Sequence, residues 1–186
     1  MDSLYEFINK EQKSKLEGLS KLIEEGKHER AQSKLMDIIF ERTLYMGVLK
    51  EKGIENKIDH TMKVYVAGPY TPKETSLHEA ARVAHLNTEF AIHEGMQVID
   101  KGHFPYIPHL LHFIHLYGGK SLPYEYYADA GIEWLQACDA ILYYDGRIGK
   151  SKGADNELKI AIDSGKTVFF SIYEIPHYVP AKKQNL

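Results

Sequence analysis

The chain has 186 residues, of which 44% are hydrophobic and 11% aromatic, and a formal net charge of −3; these values predict a packed globular domain with room for an appendage, and not a binder of nucleic-acid polymers. The single cysteine, Cys138, excludes an intramolecular disulfide and fits a reducing compartment. Because no apolar run is long enough to span a membrane and the first residues lack the basic and apolar regions of a signal peptide, we expect a cytoplasmic protein without membrane contact.

Residues 1–60 are predicted to form a helical hairpin that precedes the main domain. Ser3 and Glu6 have the spacing of a capping box at the start of the first helix, and Gly26 interrupts the pattern. Apolar residues recur at helical spacing on both sides of that glycine: Leu4, Phe7, Ile8, Leu16, Leu19, Leu22 and Ile23, then Ala31, Leu35, Ile38, Ile39, Leu44 and Leu49. These apolar faces require a partner surface, on the following domain or on another subunit.

Residues 61–186 are predicted to form an α/β domain with a Rossmann-like parallel sheet flanked by helices. The predicted strands are residues 64–67, 96–99, 140–144 and 166–172. The predicted helices are residues 76–94 (stopped by Gly95), 108–116, 124–137 and 151–165. Alternation of strands and helices indicates a mostly parallel sheet covered on both faces.

Ligands of such sheets bind beyond the carboxyl ends of the strands, which draws attention to two connections. The first is the corner Gly68-Pro69-Tyr70, and the second is the loop of residues 145–153, which contains three cations, glycines and a hydroxyl before a helix begins. Ser151, Lys152 and Gly153 at its end suit an anion, because backbone N–H groups point outward at a helix N-terminus. The loop lacks Walker spacing, and the alternative is an ordinary solvated loop.

Glu157 lies where an apolar side chain is expected. At about 100° per residue, it falls between the apolar residues of the last helix, whereas Asp155, Asn156, Lys159 and Asp163 fill the opposite side. A half-buried carboxylate is costly unless it is paired or used. The alternative is that an acidic residue simply favours the first turn of a helix.

Two further groups of polar residues have either a functional role or an ordinary structural one. Asp129 in the 124–137 helix offers a second carboxylate, or is a surface residue. The histidines His103, His109, His112 and His115 lie close together, but without a cysteine or a His-Glu-x-x-His pattern we expect no metal.

The order of several short motifs resembles the nucleoside 2-deoxyribosyltransferase-like superfamily. They are Tyr65-Val-Ala-Gly-Pro, Asn87, Asp129 with Trp134-Leu135, Cys138-Asp139-Ala140-Ile141-Leu142 and Ser151-x-Gly-Ala-x-x-Glu157. The resemblance covers roughly residues 63–173, and its nearest branch is that of the 2′-deoxynucleoside 5′-monophosphate N-glycosidases. It leaves the helical extension unexplained.

The resemblance implies roles for individual residues. Glu157 matches the nucleophile that attacks the anomeric carbon, and Tyr65 matches a tyrosine that orients this glutamate. Asp129 matches an acidic residue at the sugar that is involved in proton transfer or hydroxyl binding. Ser151 matches a serine that contacts the 5′-phosphate. The remaining candidate substrate-binding residues are Gly68, Pro69, Tyr70, Asn87, His109, Lys152 and Gly153, and Tyr70, Tyr106 or Phe104 could stack on the base. The chain departs from the family pattern at Asn156 and Leu158, where glycines are common, and at the Gly68-Pro69-Tyr70 corner.

The resemblance therefore implies an N-glycosidase that cleaves the base–sugar bond of a (deoxy)nucleoside 5′-monophosphate. One alternative is a transferase that exchanges bases. Another is a non-catalytic nucleotide-binding or sensor domain, and a third is hydrolysis of ribonucleotides or of a dinucleotide. The expected partner is a small nucleotide or nucleoside, with no cofactor. A homodimer or higher homo-oligomer is expected, because the family often builds its site across a subunit interface.

Overall fold

A computed structural model describes residues 2–70, 76–118 and 122–180. The helices are α1 (Leu4–Glu11), α2 (Lys13–Glu24), α3 (His28–Glu51), α4 (Leu77–Asp100), α5 (Leu111–Tyr117), α6 (Tyr124–Ala137) and α7 (Lys152–Asp163). The strands are β1 (Lys57–Ile58), β2 (Lys63–Ala67), β3 (Phe104–Tyr106), β4 (Ala140–Tyr143), β5 (Thr167–Phe169) and β6 (His177–Tyr178). Short 3-10 turns span Pro108–Leu110 and Ile172–Glu174.

The centre of the fold is a four-stranded parallel sheet in the order β3-β2-β4-β5. Tyr65 in β2 lies opposite Tyr106 in β3 and Ile141 in β4. A separate pair, β1 with β6, is also parallel. The predicted α/β class with a helix-flanked parallel sheet is confirmed.

The two faces of the sheet carry different layers of helices. Alternate strand residues, including Tyr65, Ile141 and Val168, pack in one apolar cluster with side chains of α2, α6, α7 and the first half of α3. Their neighbours, including Val64 and Leu142, pack on the other face with α1, the end of α4 and the end of α3. The sheet is therefore buried on both sides, as a parallel sheet requires.

The N-terminal extension has three helices, not two, because the first predicted helix is interrupted at Gln12. The predicted capping box of Ser3 and Glu6 is present: Glu6 N donates to Ser3 Oγ (3.3 Å) and Ser3 N to Glu6 Oε2 (3.0 Å). Most of the predicted apolar residues of the extension face the sheet, so the partner surface is the following domain. Leu44 is an exception, since it is exposed on α3.

The predicted strand at residues 96–99 is wrong, since α4 continues through Gly95 to Asp100. Gly95 does not end the helix; it lies inside because a Cβ there would come within 2.3 Å of Ile107 Cδ1. The glycine marks close packing of α4 on the segment after β3. The helix ends instead before Gly102, whose φ of 86° lies in the left-handed region.

Candidate functional site

Glu157 lies in the second turn of α7, facing the sheet. Ala154, Leu158 and Ala161 around it are buried, and Glu157 itself is half-buried, so the predicted core-facing position is confirmed. Tyr65 Oη donates a hydrogen bond to Glu157 Oε1 at 2.7 Å, as the resemblance implied. Burial raises the pKa of Glu157 to about 7, and the hydrogen bond from Tyr65 acts in the opposite direction.

Tyr65 reaches Glu157 from the middle of β2, where it is fully buried. Burial raises the pKa of the Tyr65 phenol far above its ordinary value, and the charge of Glu157 raises it further. Tyr65 therefore stays protonated and can only donate to the carboxylate. The pair combines a permanent neutral donor with a carboxyl group that changes its charge near neutral pH.

Gly131 in α6 faces this pair and is a residue that the sequence analysis missed. A Cβ at Gly131 would lie 3.0 Å from Tyr65 Oη and 3.7 Å from Glu157 Oε1. The absence of a side chain lets α6 lie directly against the two oxygens. A glycine inside a helix costs about 1 kcal/mol relative to alanine, and this cost was the available sequence signal.

Asp129 lies two residues before Gly131 but is not brought to the same place. It is exposed, and no hydrogen bond or ion pair of Asp129 is present among residues 2–70, 76–118 and 122–180. Two residues correspond to a rotation of about 160° around a helix, measured the short way. Within one chain, Asp129 therefore faces away from Tyr65 and Glu157.

The loop between β4 and α7 is folded back onto the start of α7. Asp155 accepts hydrogen bonds from Gly149 N (2.7 Å) and Tyr143 Oη (2.7 Å). Asp155 was predicted on the solvent side of the helix, and this was wrong: it is 3% exposed, because the loop covers it. Burial raises the pKa of Asp155, and the hydrogen bonds from Tyr143 and Gly149 oppose the shift.

The predicted anion-binding residues of this loop take up distinct positions. Ser151 is the N-cap of α7 and accepts a hydrogen bond from Ala154 N at 3.3 Å. Lys150 and Lys152 are exposed, and Gly153 is half-buried. The loop thus presents two cations at a helix N-terminus, where a negative charge is favoured.

Helix α3 of the extension holds the same loop from outside. The side-chain amide of Gln32 donates to Gly146 O (3.0 Å) and accepts from Ile148 N (2.7 Å). His28 lies against Gly149, where a Cβ would meet its side chain at 3.3 Å. Gln32 and His28 were also missed by the sequence analysis, since no local pattern connects them with residues more than a hundred positions away.

The corner after β2 forms a second set of predicted substrate-binding residues. Asn87 Nδ2 donates to Tyr70 O (3.2 Å), and His109 Nε2 lies 3.1 Å from Pro69 O. Because a carbonyl only accepts, Nε2 of His109 carries the proton, and burial lowers the pKa of this imidazole to about 4. Asn87 and His109 therefore fix the backbone of Pro69 and Tyr70.

The two connections meet at one edge of the sheet through Gly68 and Tyr144. A Cβ at Gly68 would come within 2.0 Å of the Tyr144 ring, so only glycine fits there. Burial raises the pKa of Tyr144, and the charges of Asp145, Glu94 and Glu157 raise it further. The corner after β2 therefore lies next to the connection that leads to Glu157.

Three aromatic residues proposed to stack on a base lie in different places. Tyr106 is adjacent to Tyr65 (ring centroids 5.6 Å apart) and stacks on the exposed Trp134 (4.9 Å). Tyr70 packs edge-on against His109 (5.8 Å). Phe104 is exposed at the opposite, amino end of β3. Tyr106 and Tyr70 are thus the two aromatic candidates near the site.

Of the histidines that suggested a metal, His109 and His112 both pack against Tyr70, whereas His103 contacts other segments. His103 Nε2 bonds Pro176 O (2.8 Å) while Met62 N donates to its Nδ1 (3.2 Å), and His112 Nδ1 lies 3.0 Å from Tyr70 Oη. Within the described residues, no three side chains of His, Cys, Asp or Glu converge as metal ligands would. The side chain of His115 lies outside the described part of the chain.

No described helix combines the length and apolarity needed to cross a bilayer.

Comparisons with known proteins place this site within a family. Neither the curated proteins nor the solved structures gave a match. A family model described as "Domain of unknown function (DUF7768)" matches residues 62–171, which run from the residue before β2 to the second residue after β5. This segment is more than half of the chain and contains the four-stranded sheet, Tyr65 and Glu157, and the chain therefore belongs to the DUF7768 family.

Proposed function

We propose that this chain is an N-glycosidase that cleaves the base–sugar bond of a (deoxy)nucleoside 5′-monophosphate, with Glu157 as the nucleophile. The observation that carries the proposal is the hydrogen bond of 2.7 Å from Tyr65 Oη, in the middle of β2, to Glu157 Oε1 in α7. A carboxylate that is half-buried and held by one neutral donor keeps a second oxygen for chemistry. The motif order described above supports the choice of reaction.

The first step is attack of a Glu157 carboxylate oxygen on the anomeric carbon of the sugar. The bond between that carbon and the base nitrogen breaks, and its electron pair leaves with the base, which takes up a proton. The transition state has oxocarbenium character, so the negative charge of Glu157 stabilises it. Water then attacks the anomeric carbon, releases Glu157 and supplies the new hydroxyl of the sugar.

The pKa of Glu157 sets the pH range of this chemistry. Because the pKa is raised to about 7, the nucleophilic form of Glu157 predominates only above neutral pH. The value of kcat/KM, which follows the ionisation of the free enzyme, is therefore expected to rise with pH through about 7. The hydrogen bond from Tyr65 favours the ionised form and extends the active range towards lower pH.

The 5′-monophosphate is assigned to the loop before α7. Exposed Lys150 and Lys152 beside the start of a 12-residue helix favour a dianion over an uncharged nucleoside. Asp155 and Gln32 hold the loop in shape, while Lys150 and Lys152 stay exposed. A nucleoside lacking the phosphate should therefore be the poorer substrate.

Replacing Glu157 with glutamine tests the proposal. Glutamine keeps the acceptor for Tyr65 but cannot act as the nucleophile, so release of base should fall by about 10³-fold or more. The measurement is chromatographic detection of free base from a panel of deoxynucleoside monophosphates, ribonucleoside monophosphates and nucleosides. Glu133→Gln, which changes an exposed carboxylate of α6, is the matched control and should retain full activity.

Three outcomes of that screen would contradict the proposal. Full activity of Glu157→Gln removes the nucleophile, and binding without turnover across the panel favours a sensor domain. Base exchange upon addition of a free acceptor base identifies a transferase.

The acid that protonates the leaving base needs its own test, because Asp129 faces away from Glu157 within one chain. If Asp129 of the same or a neighbouring subunit is this acid, Asp129→Asn should lose about 10²-fold or more in turnover. Wild-type turnover in Asp129→Asn assigns the proton to solvent and leaves Glu157 as the only catalytic carboxylate.

A further inference from the structure

An exposed stripe of helix α3 has no role in the fold or in the proposed site. Met36, Phe40 and Leu44 lie one helical turn apart and are 52%, 64% and 55% exposed. The opposite side of the same helix is buried against the sheet through Ala31, Leu35 and Ile38. Large apolar side chains aligned on one helix face mark an interaction surface.

The residues around the stripe follow a seven-residue spacing over the whole helix. Ser33, Phe40 and Gly47 form the centre line of the exposed face, each seven residues from the next. One edge is formed by exposed or partly exposed residues at the same spacing: Glu29, Met36, Thr43 and Lys50. The other edge has Arg30, Asp37, Leu44 and Glu51. Because positions seven residues apart lie close to one face of an α-helix, these three rows define the surface that a second helix would meet.

The charges and side-chain sizes along α3 are complementary to those of a second α3 that runs in the opposite direction. We propose that α3 pairs antiparallel with α3 of a second copy of this chain, about a two-fold axis that passes beside Phe40. In a two-fold arrangement each contact occurs twice, so that the same surface serves both subunits. The occupant of the stripe is therefore another molecule of the same protein.

This register brings opposite charges together at both ends of the helix pair. With Phe40 opposite the partner's Phe40, Glu29 falls opposite the partner's Lys50 and Arg30 opposite the partner's Glu51. These four side chains are exposed, and no ion pair among residues 2–70, 76–118 and 122–180 includes them. A parallel two-fold pairing would instead place Ser33, Phe40 and Gly47 each against its own copy, with Glu29 beside the partner's Arg30 and Lys50 beside the partner's Glu51.

The same register also fits the shapes of the residues near the axis. Ser33 falls opposite the partner's Gly47, so two small residues allow close approach on either side of the central phenylalanines. A groove beside Phe40, lined by Lys15, Lys34, Asp37, Ile38 and Glu41, lies on the edge that meets the partner's Leu44. The paired segment from Glu29 to Glu51 is about 33 Å long at 1.5 Å per residue.

Sedimentation velocity of the full chain between 1 and about 100 µM, a range that covers typical weak homodimers, tests the association. Dimers are expected, and Phe40→Lys should weaken the dimer by about tenfold or more because it places two like charges at the axis. Tyr173→Lys, at another highly exposed aromatic, is the control and should not change association. Thermal unfolding confirms that both variants fold.

Charge reversal and cross-linking test the antiparallel register itself. Lys50→Glu should weaken the dimer about threefold to tenfold, and adding Glu29→Lys should restore it. With a short bismaleimide, the double variant Ser33→Cys/Gly47→Cys should cross-link between subunits. The single variant Ser33→Cys should not, because the two Ser33 positions are about 21 Å apart along the helices in this pairing. Buried Cys138 provides no competing thiol.

Each contrary result overturns the proposal. A monomer throughout the concentration range shows that the stripe does not bind a second copy. A dimer unaffected by Phe40→Lys is formed through another surface, and efficient cross-linking of Ser33→Cys alone shows a parallel or shifted arrangement.

Discussion

Glu157 and Glu174 are two of the carboxylates that this fold withdraws from solvent, and their partners differ. Glu174 is 2% exposed and pairs with Arg42 of α3, which is fully buried, at 2.7 Å between Oε2 and Nη1. The same oxygen accepts from Phe170 N at 2.9 Å. Glu157 is held by the neutral hydroxyl of Tyr65.

The comparison separates a carboxylate that is paired with a cation from one that is not. Burial raises the pKa of both groups, but at Glu174 a cation and a backbone amide oppose the shift, whereas at Glu157 only a phenol does. Arg42 also donates to Val168 O (2.8 Å) and lies 4.8 Å from the Phe170 ring centroid, so its position is fixed. A paired buried charge joins two segments; an unpaired one stays available for a substrate.

Removal of the cation at Glu174 should have the largest effect on stability. Arg42→Met leaves a buried carboxylate without its counter-charge and should lower the free energy of unfolding by about 3–5 kcal/mol. Urea denaturation at pH 7 measures this loss. Arg42→Met/Glu174→Leu, which removes both charges, should recover much of it. A double variant as unstable as Arg42→Met would mean that lost packing, and not an uncompensated charge, explains the effect.

The Glu157 carboxyl should make the folded state less stable as pH rises. Its folded pKa of about 7 exceeds the ordinary value of 4.5, so the native state binds more protons between these values. By linkage the destabilisation is absent below about pH 4.5, grows with pH and reaches at most about 3 kcal/mol above pH 7. Unfolding of the wild type and Glu157→Gln at pH 5 and pH 8 checks the sign: the variant should gain relative stability only at pH 8. A difference that does not change with pH would contradict the raised pKa.

The sequence predicted Glu157 and the sheet well because both depend on local periodicity. The 100° step of a helix is enough to place Glu157 between Ala154, Leu158 and Ala161, and the buried strands β2 and β4 are short apolar runs next to glycine or charged residues. The prediction of a strand at residues 96–99 was wrong because it, too, depended on local periodicity. Four residues after a glycine, of which Met96, Val98 and Ile99 are apolar, are too few to distinguish a strand from the end of a helix.

The parts of the site that were missed depend on contacts between distant segments. Asp155 is buried because Gly149 and Tyr143 fold over it, and no helical projection contains that loop. Gln32 and Arg42 lie in an extension without a chemical motif, but they bind Gly146, Ile148 and Glu174 at the far end of the chain. Asp129 illustrates the converse, since the motif order assigned a role to it, whereas the structure places it exposed on α6 and facing away from Glu157 within one chain.

The phenol of Tyr65 should tune Glu157 without being essential for folding. Tyr65→Phe removes a hydrogen bond to a charged group, worth about 1.5–3 kcal/mol, so turnover at pH 7 should fall by about 10- to 150-fold. Loss of the donor also raises the pKa of Glu157, which moves the acidic limb of the pH–rate profile to higher pH. Tyr143→Phe is a matched control, because it removes a tyrosine–carboxylate hydrogen bond of the same length, 2.7 Å, at Asp155. If the acidic limb shifts equally in both variants, or in neither, the hydrogen bond from Tyr65 does not set the pKa of Glu157.

The smallest effect should come from Gln32, through which α3 holds the loop before Glu157 without any charge. Gln32→Ala removes two hydrogen bonds to Gly146 and Ile148, and we expect a loss of about 1–2 kcal/mol in stability. Because the loop is assigned to the phosphate, KM for a nucleoside monophosphate should rise by about 5- to 30-fold, the factor that corresponds to the same energy, and KM for the nucleoside should stay constant. The acidic limb of the pH–rate profile should stay in place, since the contact of Tyr65 with Glu157 is intact. Gln136→Ala, at an exposed glutamine of α6, provides the control. Equal changes in KM for nucleotide and nucleoside would show that Gln32 supports the whole site. The distinction between a contact that shapes only the loop and the carboxylate of Glu157 would then be wrong.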